Sequence, residues 1–277
     1  MRAISTVLDA TLCLLLVSAS AFVLAGAEPS RDAPDARTAE STADVLATST
    51  ARVNYTIPSE SRSLRRTTHD TLAGLLADAA VANATVRDVE LARTSDDFER
   101  AVARRVRGRL SDSTNVQVVA RWEPYRNAHL RGRFVVGGSP PPKSTVHAAV
   151  VSVPSGLPTV REEAVDAARR RGYRGVARVV AAGAVSGLAP PRATELALDD
   201  RNRVATIVAA RFRRFLWLYD GGSTQFGDDG VQTRGELVRA TTLAIEDELR
   251  ATYETPRAAA RSVSAGRVEL VVRTWSG

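Results

Sequence analysis

The sequence has almost no cysteine. Its one cysteine, Cys13, lies within the longest uncharged run of the chain. A chain with a single thiol forms no intrachain disulfide, which excludes the disulfide-stapled classes of small secreted protein. Leu12 stands directly before Cys13, where lipoprotein processing needs a small residue, so a lipidated cysteine is excluded as well. At 277 residues the chain is long enough to bury a core and to fold by packing alone.

Histidines and catalytic motifs are also scarce. His69, His129 and His147 stand far apart, whereas zinc sites need several closely spaced donors. No nucleophile elbow of the G-x-S-x-G type occurs. The stretch 137–144 resembles a phosphate-binding loop only superficially, because prolines replace residues whose N–H groups would have to bind phosphate. These absences predict a non-enzymatic protein without a catalytic site, a metal or a cofactor.

Aromatic residues make up only 5% of the chain, whereas arginine is abundant. The net charge of +7 comes almost entirely from arginine, since Lys143 is the only lysine. Nucleic-acid binding would require exposed aromatic side chains or a known module, so nucleic acid is not the expected partner. Arginines cluster on three predicted helices, at Arg104–Arg109, Arg169–Arg174 and Arg211–Arg214. These clusters predict either solvated helix surfaces or faces that hold an anionic ligand or an acidic partner.

The long uncharged run extends from Ala10 to Ala27. Its 18 residues are just enough to cross a bilayer as a helix. Three interpretations stay open: a signal peptide cleaved after Ala25-Gly26-Ala27, an uncleaved anchor, or a short leader whose removal leaves the helix in place. Residues 28–50 carry five acids against two arginines. The positive-inside rule therefore predicts a single-pass protein with its N-terminus inside the cell and its C-terminal domain outside.

The residues before this run favour the short leader. Arg2-Ala3 followed by Ile4-Ser5-Thr6-Val7 resembles the leader of archaeal type IV pilins in its haloarchaeal form. The opening also resembles a group of haloarchaeal single-span surface proteins that begin RAxSTVLD. The resemblance implies cleavage between Ala3 and Ile4, and retention of the apolar helix. It further implies that Asp9 pairs with a neighbouring pilin-like subunit, and a carboxylate beside an apolar span is costly enough to indicate a purpose.

The rest of the chain predicts an α+β fold. Residues 1–27 form the transmembrane or prepilin-like segment, 28–50 a flexible linker, and 51–277 an extracytoplasmic domain. Alternation of apolar and polar residues predicts an antiparallel meander over about 115–153, and helical periodicity predicts a large helical block over about 159–263. A last strand over about 267–275 could join the meander. Before residue 115 the sequence predicts a strand at 52–57 and helices at 69–83 and 96–110. The predicted helical block contains three long helices, a loop and a short helix. The long helices are at 159–187, 194–219 and 233–253, the loop is at 221–230, and the short helix begins at Pro256.

Two triplets, Asn54-Tyr55-Thr56 and Asn83-Ala84-Thr85, fit the N-glycosylation pattern and agree with an exterior location. The sequence as a whole predicts a membrane-anchored, pilin-like or accessory surface protein of a type IV pilus-like system. The alternative is a secreted or anchored protein that uses arginine-rich faces to hold an anionic ligand or an acidic partner.

Overall fold

The computed structural model describes residues 36–57, 64–91, 96–110, 115–188, 214, 217–218 and 234–276. The predicted segment 1–27 and the predicted loop 221–230 lie outside these residues, as does the predicted helix 194–219 apart from positions 214, 217 and 218. None of the helices in the described ranges is both long enough and apolar enough to span a bilayer.

The elements follow in chain order. They are α1 (Ala36–Thr48), β1 (Thr50–Ile57), β2 (Leu64–Thr71), α2 (Leu72–Ala82), β3 (Ala84–Val86), β4 (Val89–Glu90), α3 (Asp96–Arg109), β5 (Val116–Trp122), β6 (Leu130–Gly137), β7 (Val146–Pro154), α4 (Arg161–Leu188), α5 (Arg234–Thr252), α6 (Pro256–Arg261) and β8 (Arg267–Trp275). The predicted α+β class is confirmed.

The main sheet is antiparallel and six-stranded, in the order β4-β3-β6-β5-β8-β7. The predicted meander is confirmed for the pair of β5 and β6 but is wrong for β7, because β8 lies between β5 and β7. The burial patterns of β7 and β8 explain why β8, and not β7, lies beside β5. Side chains are buried along most of β8, as in a central strand, whereas β7 is exposed at alternate positions, as in an edge strand.

Helices α1, α2 and α3 cover one face of the sheet, which we call the inner face. The inner face carries Val118, Ala120 and Trp122 of β5, all of them buried. Helix α2 is the centre of this layer, since its leucines and alanines are buried on nearly every side. Thr71 begins the helix by accepting a hydrogen bond from the Gly74 N–H at 3.0 Å.

A second hydrophobic cluster joins α4, α5 and α6 beside the sheet. Helix α4 breaks at Gly172, which has φ 61°, a value that glycine adopts at little cost. The buried Trp122 indole N–H donates to the Ala265 carbonyl oxygen at 2.8 Å, and the Ser155 hydroxyl donates to the same oxygen at 2.7 Å. These bonds fix the sheet to the chain that follows α6.

Three predicted boundaries need correction. The linker predicted over 28–50 is wrong from Ala36 onward, because α1 is a helix that buries Ala39, Ala43 and Leu46. Its small, polar composition resembles a linker, but the three- and four-residue spacing of those apolar side chains forms a helical stripe. The helix predicted from His69 begins at Leu72, because β2 pairs with β1 as far as Thr71. The helix predicted from residue 159 begins at Arg161.

Candidate functional site: an arginine groove on the outer sheet face

The face of the sheet opposite α1–α3, the outer face, carries a row of polar side chains. Arg133 of β6 lies directly opposite Arg121 of β5. Arg121 in turn lies opposite Glu269 of β8, and Glu269 lies opposite Ser152 of β7. Residues directly opposite each other in antiparallel strands have Cβ atoms roughly 4.5–5.5 Å apart. The register therefore brings four residues from distant parts of the chain into one continuous row.

A groove of about 760 Å³ lies along this row. We call it the arginine groove. It is lined by five arginines and three carboxylates, together with neutral polar and apolar residues. The arginines are Arg121, Arg131, Arg133, Arg161 and Arg267, and the carboxylates are Asp88, Glu123 and Glu269. The lining therefore has an excess of positive charge.

Three of the groove arginines are held by neighbours. Arg131 forms an ion pair with Asp88. The Arg161 Nε–H donates to the Val263 carbonyl oxygen at 2.7 Å, and the Arg267 guanidinium donates to the Ser152 hydroxyl at 3.2 Å. These contacts fix the direction of each side chain. They leave part of each guanidinium, which has five N–H donors, for another partner.

Arg121 and Arg133 differ from the other three, because neither guanidinium forms a hydrogen bond or an ion pair with any described residue. Both side chains are exposed. Like charges placed directly opposite each other destabilise a strand pair. Glu269 lies beside Arg121 and not beside Arg133, so it offsets this repulsion only in part. An anion between the two guanidiniums would remove the repulsion and form charge-assisted, bidentate hydrogen bonds.

The arginine clusters predicted from sequence lie elsewhere. Arg104, Arg105 and Arg109 line a second cavity of about 560 Å³, where the Arg109 Nε–H donates to the Ser49 hydroxyl at 3.4 Å. In the second predicted cluster, Arg169 lies on the surface of α4 and forms an ion pair with Asp166 at 3.6 Å. Most of Arg211–Arg214 lies outside the described residues. The first two clusters therefore occupy helix surfaces, and the first of them lines a cavity.

Sequence reasoning missed the arginine groove, because its arginines are spread over residues 121–267 and do not cluster along the chain. One signal was present. On β6, Arg131 and Arg133 alternate with the buried residues Leu130, Gly132 and Phe134, so both arginines must share the face that points away from the core. Their meeting with Arg121 depends on strand register, which the sequence does not specify.

The histidines lie apart in the fold: His69 is on β2, His147 is on β7, and His129 directly precedes β6. Among the residues that the structure describes, no group of three or more histidine, cysteine or acidic side chains is close enough to hold a metal. The His129 ring approaches the buried Glu248 carboxylate at 3.4 Å, and the His129 backbone N–H donates to the same group at 2.5 Å. Burial raises the pKa of Glu248, and the hydrogen bond from the His129 backbone opposes that rise.

The two candidate glycosylation sites differ. Asn54 is exposed on β1 and uses its side-chain oxygen to accept a hydrogen bond from Thr67 at 2.8 Å. Asn83 ends α2, and its side-chain nitrogen donates to the Arg133 carbonyl oxygen at 2.9 Å. Asn54 is exposed with its side-chain nitrogen unused in that bond, whereas Asn83 is half-buried and uses its nitrogen, so Asn54 is the more accessible acceptor. The predicted processing residues Arg2, Ala3 and Ile4 and the predicted assembly residue Asp9 lie outside the described residues.

Comparison with known proteins identifies the family of the chain. No curated protein and no solved structure is significantly similar to the chain. A family model described as "Family of unknown function (DUF7284)" matches residues 8–275, which is nearly the whole sequence. The chain therefore belongs to the DUF7284 family, whose function is unknown.

Proposed function

We propose that this protein is a non-enzymatic surface protein, held in a cell membrane by residues 10–27, whose outer domain binds an anionic partner in the arginine groove. The observation that carries the proposal is the cross-strand pair of Arg121 and Arg133, two exposed cations held opposite each other without a partner among the described residues. A sheet tolerates such a pair more readily when an anion bridges it.

The groove suits an extended anion better than a single small one. Its five arginines come from β5, β6, β8 and the start of α4, so they offer binding groups along the groove. Guanidinium forks match carboxylate, sulfate and phosphate groups equally in geometry. The three carboxylates in the same lining would repel an anion whose charges are wrongly spaced, and this repulsion would give selectivity. An acidic protein segment or an acidic surface glycan has the required chemistry.

The double variant Arg121→Gln/Arg133→Gln tests this proposal. We expect its affinity for a glutamate-rich peptide or a sulfated oligosaccharide to fall at least about tenfold, because each charge-assisted hydrogen bond contributes roughly 1.5–3 kcal/mol. Fluorescence anisotropy of the labelled probe against full-length protein in detergent measures the affinity. Binding to the unaltered protein should weaken as the salt concentration rises.

The matched control is Arg169→Gln/Arg170→Gln, which removes the same charge from the exposed surface of α4. We expect this variant to keep its affinity within about twofold, since only the general attraction by net charge changes. Equal losses in the two double variants would mean that the probe responds to net charge alone. That result would remove the support for a dedicated groove.

A second function is favoured by the opening sequence, in which Arg2-Ala3, Ile4 and Asp9 resemble a pilin leader and its assembly carboxylate. We propose that, in this second function, the protein accompanies a pilus-like assembly, with its N-terminus inside the cell and residues 51–277 outside. Mass spectrometry of the mature N-terminus distinguishes the processing routes, since a start at Ile4 supports pilin-type processing and a start at Glu28 supports secretion.

Asp9→Ala is the corresponding assembly test. We expect it to reduce incorporation into the assembly while leaving membrane insertion intact, because a carboxylate that pairs with a neighbouring subunit is needed only for assembly. Co-purification with the other subunits, compared between Asp9→Ala and Asp9→Glu, measures the effect. Normal incorporation of Asp9→Ala would exclude this role for Asp9.

A further inference from the structure

Strand β7 forms one edge of the main sheet. Within the described residues it pairs only with β8, from Val146↔Trp275 to Pro154↔Arg267, so its other side carries no strand there. The strand is nine residues long and contains no lysine, arginine, aspartate or glutamate. Natural sheets usually protect their edges with charges, bulges or short strands, because an uncharged flat edge readily pairs with another chain. β7 has none of the protection that charge would give.

A row of valines on the outer face ends at this edge. Val135, Val119, Val271 and Val150 lie opposite one another across β6, β5, β8 and β7. Val119 is 0% exposed and Val271 is 7% exposed, whereas Val150 at the edge is 62% exposed. The apolar row therefore stops with its most exposed member at the free side of the sheet.

We propose that two copies of the chain pair antiparallel along β7, with a two-fold axis at Val150, and so extend the sheet across both copies. In this register Val150 lies opposite the partner's Val150, Ala148 opposite the partner's Ser152, and Val146 opposite the partner's Pro154. Even-numbered residues meet even-numbered residues, so the outer faces of both copies lie on the same side. The pairing joins the two valine rows into one and covers Val150.

A second copy fits this edge for reasons of charge. The chain has a net charge of +7, which opposes close approach of two copies at most surfaces. At β7, self-pairing places only uncharged residues opposite one another, so no like charges meet directly across the new strand pair. The inference does not depend on the proposed binding function. If both hold, the two arginine grooves of the dimer face the same way, which favours an extended polyanion.

Disulfide cross-linking of the full-length chain in detergent tests the pairing. Cys13→Ser gives a background without thiols, since Cys13 is the only cysteine. In that background Val150→Cys is expected to form a disulfide-linked dimer under mild oxidation, because the two-fold axis places the two thiols opposite each other. Val89→Cys is the matched control, since Val89 is also an exposed valine on an edge strand, at the other side of the sheet.

The register is tested with cysteines at two further positions. A mixture of Ala148→Cys and Ser152→Cys chains is expected to cross-link, whereas Ala148→Cys alone is not. Adding Val150→Lys to both chains should abolish the cross-link, because two ammonium groups would then lie opposite each other. If Val150→Cys forms no disulfide-linked dimer, the proposal is wrong. Either the β7 edge is then unoccupied, or it binds a different protein. Equal cross-linking at Val150 and Val89 would overturn it too.

Discussion

Replacing Gly132 by alanine is expected to lower the free energy of unfolding by about 2–3 kcal/mol. Gly132 lies on β6 where α2 crosses the inner face of the sheet. A Cβ atom at this position would lie 2.0 Å from the Ala80 carbonyl oxygen and 2.9 Å from its carbonyl carbon. Both atoms belong to the backbone of α2, so no side-chain rotation relieves the overlap. The helix would have to move as a whole.

That movement is costly because α2 is packed on several sides. Leu75, Leu76 and Ala79 on this helix are all 0% exposed. Lifting α2 from β6 would open gaps around them, and each lost contact weakens the core. Chemical denaturation should show a lower midpoint with an unchanged dependence on denaturant, since the folded state remains cooperative.

Gly138→Ala is the matched control for this experiment. Gly138 follows the last residue of β6, and a Cβ atom placed there meets nothing within 4 Å. We expect a change of less than about 0.5 kcal/mol in the free energy of unfolding, as for most surface substitutions. If Gly132→Ala were as mild as Gly138→Ala, the close packing of α2 on β6 would be wrong.

Asp78→Asn is expected to stabilise the protein at neutral pH and to have little effect at low pH. Asp78 lies half-buried on α2. Burial, and to a smaller extent the nearby Asp70 carboxylate, raises the pKa of Asp78 from 3.8 to about 6. The folded protein therefore binds this proton more tightly than the unfolded chain does. The resulting stability is fully present below about pH 4 and is lost as the pH rises through about 6.

The size of the effect follows from the size of the shift. Each unit of pKa corresponds to about 1.4 kcal/mol, and partial exposure of the carboxyl reduces the value, so the gain at pH 7 should be about 1–2 kcal/mol. Thermal or chemical denaturation between pH 4 and pH 7 measures it. The control is Asp247→Asn, which alters an exposed aspartate on α5. A gain for Asp78→Asn that is the same at pH 4 and pH 7 would contradict a protonation effect.

Much of the fold could be predicted from local sequence pattern. β5 and α3 begin where their patterns predict, β8 matches its predicted range, and α6 begins with Pro256 after the Thr255 cap. Strand order could not be predicted in the same way. The position of β8 between β5 and β7 joins segments more than a hundred residues apart, and alternation alone does not select the partner of a strand.

The arginine groove was not predicted for the same reason, because it depends on which strands pair. Helical periodicity made the arginines of α3 and α4 visible, because they are close together in the sequence. Arg121 and Arg133 are twelve positions apart and meet only through the pairing of β5 with β6. The burial of α1 was missed for a different reason. Its stripe is built largely from alanines, whose small apolar side chains do not stand out among serines and threonines.

The central claim is that an anion binds in the arginine groove, and protection of an engineered thiol tests it most directly. In full-length Cys13→Ser protein, Ser152→Cys places a thiol in the groove, and Thr50→Cys places one in the cavity beside Arg104, Arg105 and Arg109. The rate of maleimide labelling is measured for each variant with and without the sulfated oligosaccharide. If the anion binds in the arginine groove, the oligosaccharide slows labelling of Ser152→Cys and leaves the labelling rate of Thr50→Cys unchanged. Protection of Thr50→Cys alone would contradict it and would assign binding to the cavity beside α3.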